Sequence, residues 1–170
     1  MLSSPGIVLV LRITIVSLVA SLNVIHSKFQ VAFMAPTEIL AKQHYNLAKK
    51  IFSNNVKIKL LTGKTEYKER KIILENLMNG NVDLLIGTHS LFQDRIKYKK
   101  LGLIIIDEQH KFGVKQRKKL SDKAGKNCDV LVMSATPIPR TMIMTIYGDM
   151  DTSIIKSKPK NRKYIKTYSK

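Results

Sequence analysis

Apolar and polar positions alternate along this chain with two different periods. Residues 29–34, 56–61, 82–86, 101–106 and 130–133 are short runs rich in Val, Ile and Leu, the pattern of strands buried in a sheet. Within 56–61, Lys57 and Lys59 alternate with apolar residues and are expected to point outward. Between these runs, residues 38–52 and 66–78 are dominated by helix formers. Ile39, Leu40, Leu47 and Ile51 mark the apolar stripe of the first helix, and Ile72, Ile73 and Leu77 that of the second. Pro36 stops the first strand, and Asn79-Gly80 closes the second helix because glycine takes the left-handed conformation that ends helices. Strands alternating with helices predict an α/β fold, a parallel sheet with helices on both faces. Neither an internal repeat nor a low-complexity linker interrupts it.

Residues 7–25 are almost unbroken apolar sequence, relieved by Arg12, Thr14, Ser17, Ser21 and Asn23. Two readings compete. One divides the run into a β-branched strand at 7–11 and a helix marked by Ile15, Leu18, Val19, Leu22 and Ile25. The other is a membrane segment. Arg12 opposes it, since a charge inside a span costs roughly 2.5–3.5 kcal/mol. Residues 1–6 also lack the Lys or Arg that begins a signal peptide. The buried strand and helix are therefore the expectation, with a membrane-tethered basic protein as the alternative.

Composition narrows the function. The chain has 170 residues, 30 Lys or Arg against 12 Asp or Glu, and a formal net charge of +18. That length suits one domain with a hydrophobic core, and an apolar fraction of 44% excludes a disordered chain. A single cysteine, Cys128, excludes a disulfide framework and a cysteine-rich zinc site, so a cytoplasmic setting is expected. The positive charge favours a polyanionic partner, nucleic acid first, because neutralised phosphates release counterions.

The polar clusters all follow predicted strands directly: Ala35-Pro36-Thr37-Glu38, Thr62-Gly63-Lys64-Thr65, Gly87-Thr88-His89, Asp107-Glu108-Gln109-His110 and Ser134-Ala135-Thr136. In a parallel sheet these would line one rim, the carboxyl ends of the strands, where ligands gather. Asp107 and Glu108 leave the most apolar strand as adjacent carboxylates. The first suits a Mg²⁺ ion, a hard cation that takes oxygen ligands, and the second can polarise a water that attacks a γ-phosphate. Two solvated acids capping the next helix would have the same local pattern, and each threonine would serve equally as a helix cap.

Asp107-Glu108-Gln109-His110 resembles motif II of superfamily 2 helicases. The run Ser134-Ala135-Thr136-Pro137-Ile138-Pro139-Arg140-Thr141 resembles an extended motif III, and Met34-Ala35-Pro36-Thr37-Glu38-Ile39-Leu40-Ala41 resembles motif Ia. With Gly87-Thr88-His89 between and Lys111-Phe112-Gly113-Val114 after motif II, the set is similar to the RecG-like ATP-dependent DNA helicases, which remodel branched DNA. The Mfd-type translocases are the nearest alternative, and Gln109 favours the former. The resemblance implies the first RecA-like motor domain, ATP and Mg²⁺ as cofactors, and DNA as partner. It implies that Asp107 holds Mg²⁺, Glu108 activates water, and Gln109 and His110 couple ATP state to a second motor domain. By the same resemblance Ser134, Ala135 and Thr136 link that site to the DNA track, and Pro36, Thr37, Thr62, Gly63, Thr88 and His89 lie along the DNA backbone.

The chain departs from that pattern at its start. An ATPase of this kind needs a glycine-rich loop, a Lys and a Ser or Thr. If Thr14 takes the last of these places, Ile13 stands at the Lys position and Arg12 at a Gly position. Gly63-Lys64-Thr65 is no substitute, since Ile58 stands five residues before Gly63. The resulting division is a divergent apolar segment at 1–13, a partial helicase domain at 14–155 and a basic tail at 156–170. The expectation is a helicase fragment that does not hydrolyse ATP by itself, with missing parts on separate chains as possible partners. A non-catalytic, basic nucleic-acid-binding module is the competing class.

Overall fold

The computed structural model describes residues 5–52, 55–107, 128–134, 151 and 153. The chain divides into two units, Met1–Thr136 and Pro137–Lys170, and the described helices and strands all lie in the first. Its elements are α1 (Pro5–His26), β1 (Gln30–Met34), α2 (Glu38–Phe52), β2 (Ile58–Leu61), α3 (Tyr67–Asn79), β3 (Leu84–Gly87), a 3₁₀ turn (His89–Phe92), β4 (Leu101–Asp107) and β5 (Asp129–Met133). The five strands form one sheet in the order β2-β3-β1-β4-β5, with every pairing parallel.

Apolar runs become central strands here because both faces are covered. Alternation along β1 sends Val31 and Phe33 to a cluster with Leu18, Ala41, Ala48 and Phe52 of α1 and α2. Ala32 and Met34 go to the opposite face, with Ile73 and Leu77 of α3 and Leu91. β1, β3 and all but the first residue of β4 are buried, whereas β5 is half-buried through its middle. Gly87 permits a close approach of strands: a Cβ there would overlap the carbonyl oxygen of Leu61.

Both described helix endings follow from local chemistry. α3 closes at Gly80, φ 78°, whose N–H donates to Leu77 O while that of Asn81 donates to Asn76 O. α1 closes the same way, but Lys28 holds the left-handed position, φ 64°, with its N–H on Ile25 O and that of Phe29 on Val24 O.

Four expectations about the helices are corrected. Residues 7–11 are not a strand; they continue one helix from Pro5 to His26. Extending a formed helix adds one hydrogen bond per residue without a new nucleus. The inward stripe of α1 is also not the most apolar one. Ile15, Val16 and Val19 are exposed, while Thr14, Ser17, Leu18, Ser21 and Ile25 are buried. The hydroxyls bury because they are satisfied on their own helix: Ser17 Oγ donates to Thr14 O at 2.7 Å and Ser21 Oγ to Ser17 O at 2.8 Å. In α2, Ile39 (72% exposed) and Ile51 face out, and Ala41, His44, Ala48 and Phe52 face the sheet. In α3, Ile72 likewise faces out, whereas Ile73 and Leu77 are buried. Among the described residues, no helix is long and apolar enough to cross a membrane.

Buried Gln30 ties the other end of the sheet together. Its Nε2 donates to Leu77 O (2.9 Å) and Val82 O (2.8 Å), and its Oε1 accepts from the N–H groups of Lys99 (2.7 Å) and Lys100 (3.1 Å). Gln30→Leu removes four hydrogen bonds to backbone groups, of which Leu77 O keeps the bond from Gly80 N–H. It is expected to cost about 3 kcal/mol in urea unfolding. Lys28→Gly, which relieves a left-handed conformation, is expected to stabilise the chain by roughly 1 kcal/mol in the same assay.

Candidate functional site

Strand register sets the composition of the rim. Leu61 pairs with Gly87, Gly87 with Met34, Met34 with Ile106, and Asp107 with Met133. The chain therefore leaves the sheet at Thr62, Thr88, Ala35, Asp107 and Ser134 in spatial order. At a strand spacing of about 4.8 Å, the outer two exits are about 19 Å apart. The rim has two halves of different chemistry.

The half formed by β2, β3 and β1 is rich in hydroxyls. Thr37 caps α2: its Oγ1 accepts from Leu40 N–H (3.3 Å) and its carbonyl from Ala41 N–H (2.9 Å). Thr62-Gly63-Lys64-Thr65 closes on itself. Thr62 N–H donates to Thr65 Oγ1 (2.9 Å), and Lys64 N–H to Thr62 Oγ1 (3.3 Å). The turn meets α2 where Lys64 Nζ lies 3.6 Å from Glu38 Oε2, an exposed pair of little energetic weight. Thr88 is buried, its Oγ1 3.5 Å from Ser90 Oγ. Thr37, Gly63 and His89 are exposed, and Pro36 is half-exposed. The structure thus brings the six expected backbone-contacting residues onto three adjacent exits. The hydroxyls of Thr62 and Thr88 face inward, each engaged with its own loop.

The other half centres on Asp107, which is 4% exposed. A buried carboxylate is costly unless paired, and the partner is a residue to which the sequence analysis assigned no role. His44 Nε2 lies 2.9 Å from Asp107 Oδ2. The carboxylate only accepts, so Nε2 carries the proton and Nδ1 is free to accept from Thr14 Oγ1, 3.5 Å away. The imidazole stacks on Phe33 with centroids 4.7 Å apart and planes at 25°. Thr14, His44 and Asp107 thus link α1, α2 and β4. The available signal for His44 was its spacing, three residues after Ala41 and four before Ala48. Ser134 follows β5 and is half-buried. Glu108, Gln109, His110, Ala135 and Thr136 lie outside the described residues.

Asp107 is a hard oxygen donor of the type that suits Mg²⁺, whereas Thr14 Oγ1 meets the other ring nitrogen of His44 and stands across the imidazole from it. A triphosphate does not fit this backbone. Thr14 stands inside a helix that begins at Pro5, so the N–H groups ahead of it are engaged within the helix instead of opening into a cradle. Gly63-Lys64-Thr65 leaves β2, the third strand away from β4, and cannot act at Asp107.

Comparison with known proteins agrees with this layout. The family model for the DEAD/DEAH box helicase matches residues 13–145. The chain belongs to the DEAD/DEAH box helicase family. It is 51% identical over 154 residues to the ATP-dependent DNA helicase RecG of Streptococcus pneumoniae and 47% identical over 156 residues to that of Borreliella burgdorferi. Each alignment covers 91% of this chain but 23% of the relative, so the chain spans about a quarter of their length. A solved structure of RecG bound to a three-way DNA junction superposes with a TM-score of 0.72 at 45% identity, over 88% of this chain and 20% of that one. S. cerevisiae Dbp5, at 18% identity and a TM-score of 0.54 over 69% of this chain and 33% of that one, shares the fold. The sheet is that of a RecA-like helicase domain.

Within this helicase domain Cys128 stands apart from the rim, at the opening of β5. Burial, aided by the neighbouring Asp129, pushes its thiol up to about 11. Burial also raises Tyr98, whose hydroxyl has no partner among the described residues. Cys128 is therefore expected to be a poor nucleophile at neutral pH. Alkylation by iodoacetamide at pH 8 should run roughly a hundredfold slower than at an ordinary exposed cysteine, and accelerate as pH rises toward 11.

Proposed function

We propose that this chain is a RecG-like helicase domain that engages the phosphate backbone of DNA along the β2-β3-β1 half of its rim and does not turn over ATP by itself. The observation that carries the reading is the segregation of the rim. Thr37, Gly63 and His89 stand exposed on three adjacent exits, and the carboxylate that suits a cation lies on the next. The exposed Thr37 and His89, the exposed turn at Gly63 and a +18 chain suit phosphates, which position DNA without reading its sequence. The likeness to RecG bound to a DNA junction supports DNA as the partner, and the RecG matches favour this assignment over the Mfd-type alternative. In this reading Ser134, at the outermost exit beside Asp107, with Ala135 and Thr136 links that site to the DNA track, and Glu108, Gln109 and His110 extend the Asp107 half. Remodelling of branched DNA belongs to an assembly that includes a second motor domain. In the chain alone, its own residues bind and orient the backbone, and Asp107 contributes a cation ligand.

Fluorescence anisotropy with labelled single-stranded and three-way-junction DNA tests the binding. Dissociation constants of about 10⁻⁴–10⁻⁶ M are expected, weakening steeply between 50 and 200 mM salt. Binding indifferent to salt, or confined to one base sequence, would contradict the proposal.

Nucleotide binding is tested by melting. Mg-ATP should leave the melting temperature of the native chain unchanged. The quadruple variant Val10→Gly, Leu11→Ser, Arg12→Gly, Ile13→Lys should gain a shift, corresponding to about 2.7 kcal/mol at a hundredfold excess over its dissociation constant. A clear Mg-ATP shift in the native chain, or ATP turnover abolished by Glu108→Gln, would show that the nucleotide reading is wrong.

A further inference from the structure

We propose that His44 is a positioning residue for Asp107: it commits Oδ2 through a hydrogen bond from Nε2 and so presents the other carboxylate oxygen, Oδ1, to a hard divalent cation. The inference rests on the reading of Asp107 as the cation-side carboxylate, and adds a residue outside the strand-exit clusters.

Four observations support it. The Nε2–Oδ2 distance is 2.9 Å, and both side chains are almost wholly buried, at 3% and 6% exposure. Water therefore competes little for the bond. Oδ1 takes no hydrogen bond among the described residues. The imidazole cannot swing freely, because one face lies on Phe33 and Nδ1 meets Thr14 Oγ1 on α1. The flanking stripe positions are Ala41 and Ala48, whose small side chains let α2 approach the sheet closely enough for the ring to reach the end of β4. A ligating carboxylate held in this way by an outer-shell hydrogen bond typically gains affinity and a defined geometry for the metal.

The alternative is that His44 only neutralises a buried acid and stabilises the fold. Mn²⁺ titration of the 170-residue chain, followed by water-proton relaxation, separates the two. Melting temperatures are measured in parallel on the native chain and on Asp107→Asn, His44→Phe and His44→Gln. The phenyl ring keeps the stacking and loses both hydrogen bonds, whereas the glutamine amide can still donate to Oδ2. The expected result is one Mn²⁺ site that disappears in Asp107→Asn. His44→Phe should weaken it about 10–100-fold, and His44→Gln should recover most of the loss. Native-like Mn²⁺ affinity in His44→Phe, with only a lowered melting temperature, would overturn the proposal and leave the Asp107 reading intact. An affinity unchanged by Asp107→Asn, or no Mn²⁺ site at all, would overturn both. If His44→Phe does not fold, His44→Asn replaces it, since its shorter amide does not reach Oδ2: Mn²⁺ affinity should fall as expected for His44→Phe, and native-like affinity would overturn the proposal.

Discussion

The arrangement of this domain depends on how it accommodates one carboxylate. Asp107 ends a strand buried on both faces, and an acid there must be paired or lose its charge. The pair with His44 satisfies it and at the same time sets the rotation of α2 about its axis. Once His44 points at the sheet, Ala41, Ala48 and Phe52 follow it inward at helical spacing, and Ile39 and Ile51 are turned to solvent although they are the more apolar residues. Thr14 extends the same constraint to α1. Polar pairing thus decides the phase of helices whose apolar content alone would have chosen another face.

The parallel register converts that local arrangement into a functional surface. Because adjacent strands end level with one another, each connecting loop emerges beside the next. α2 spans the two halves of the rim. Its first turn is capped by the exposed Thr37, and seven residues on, about 10 Å along the axis, His44 holds the carboxylate. One rigid helix thus touches both halves, through its N-terminal cap and through a side chain at its middle.

Much of this was legible in the sequence. Every described strand was visible: β1, β3 and β4 as unbroken apolar runs, since a central parallel strand has no solvent face to interrupt it, β2 through lysines alternating with apolar residues, and β5 as a short apolar run. The rim was visible because polar residues follow those runs at once. Thr37 and Gly80 signalled helix ends through chemistry confined to a few neighbouring residues. What stayed hidden depends on partners distant in the chain. Gln30 looks like the polar start of a strand, yet it binds backbone groups 47 to 70 residues away. His44 looks like one more polar residue of a basic helix until β4 is placed beside it. Ile72 is as apolar as Ile73, and only the packed sheet distinguishes them. The roles of Glu108, Gln109, His110, Ala135 and Thr136 continue to rest on the family resemblance.

The start of α1 shows why a motif must be judged by backbone as well as by residue type. The affinity of a helix for phosphate resides in its first turn, where N–H groups lack partners and the peptide dipoles end. Thr14 has the right side chain for a nucleotide site, but it stands nine residues beyond Pro5. Proline has no N–H, so the free donors of that first turn are those of residues 6–8, which at 1.5 Å per residue lie about 9–12 Å from Thr14 along the axis. Glycines would interrupt the helix and bring that first turn back to Thr14. The β-branched and leucine residues at 7–11 instead extend the helix past it. The segment at 7–11 thus holds the phosphate-binding end of α1 away from Thr14, while the sheet, the rim and the His44 pair are in place.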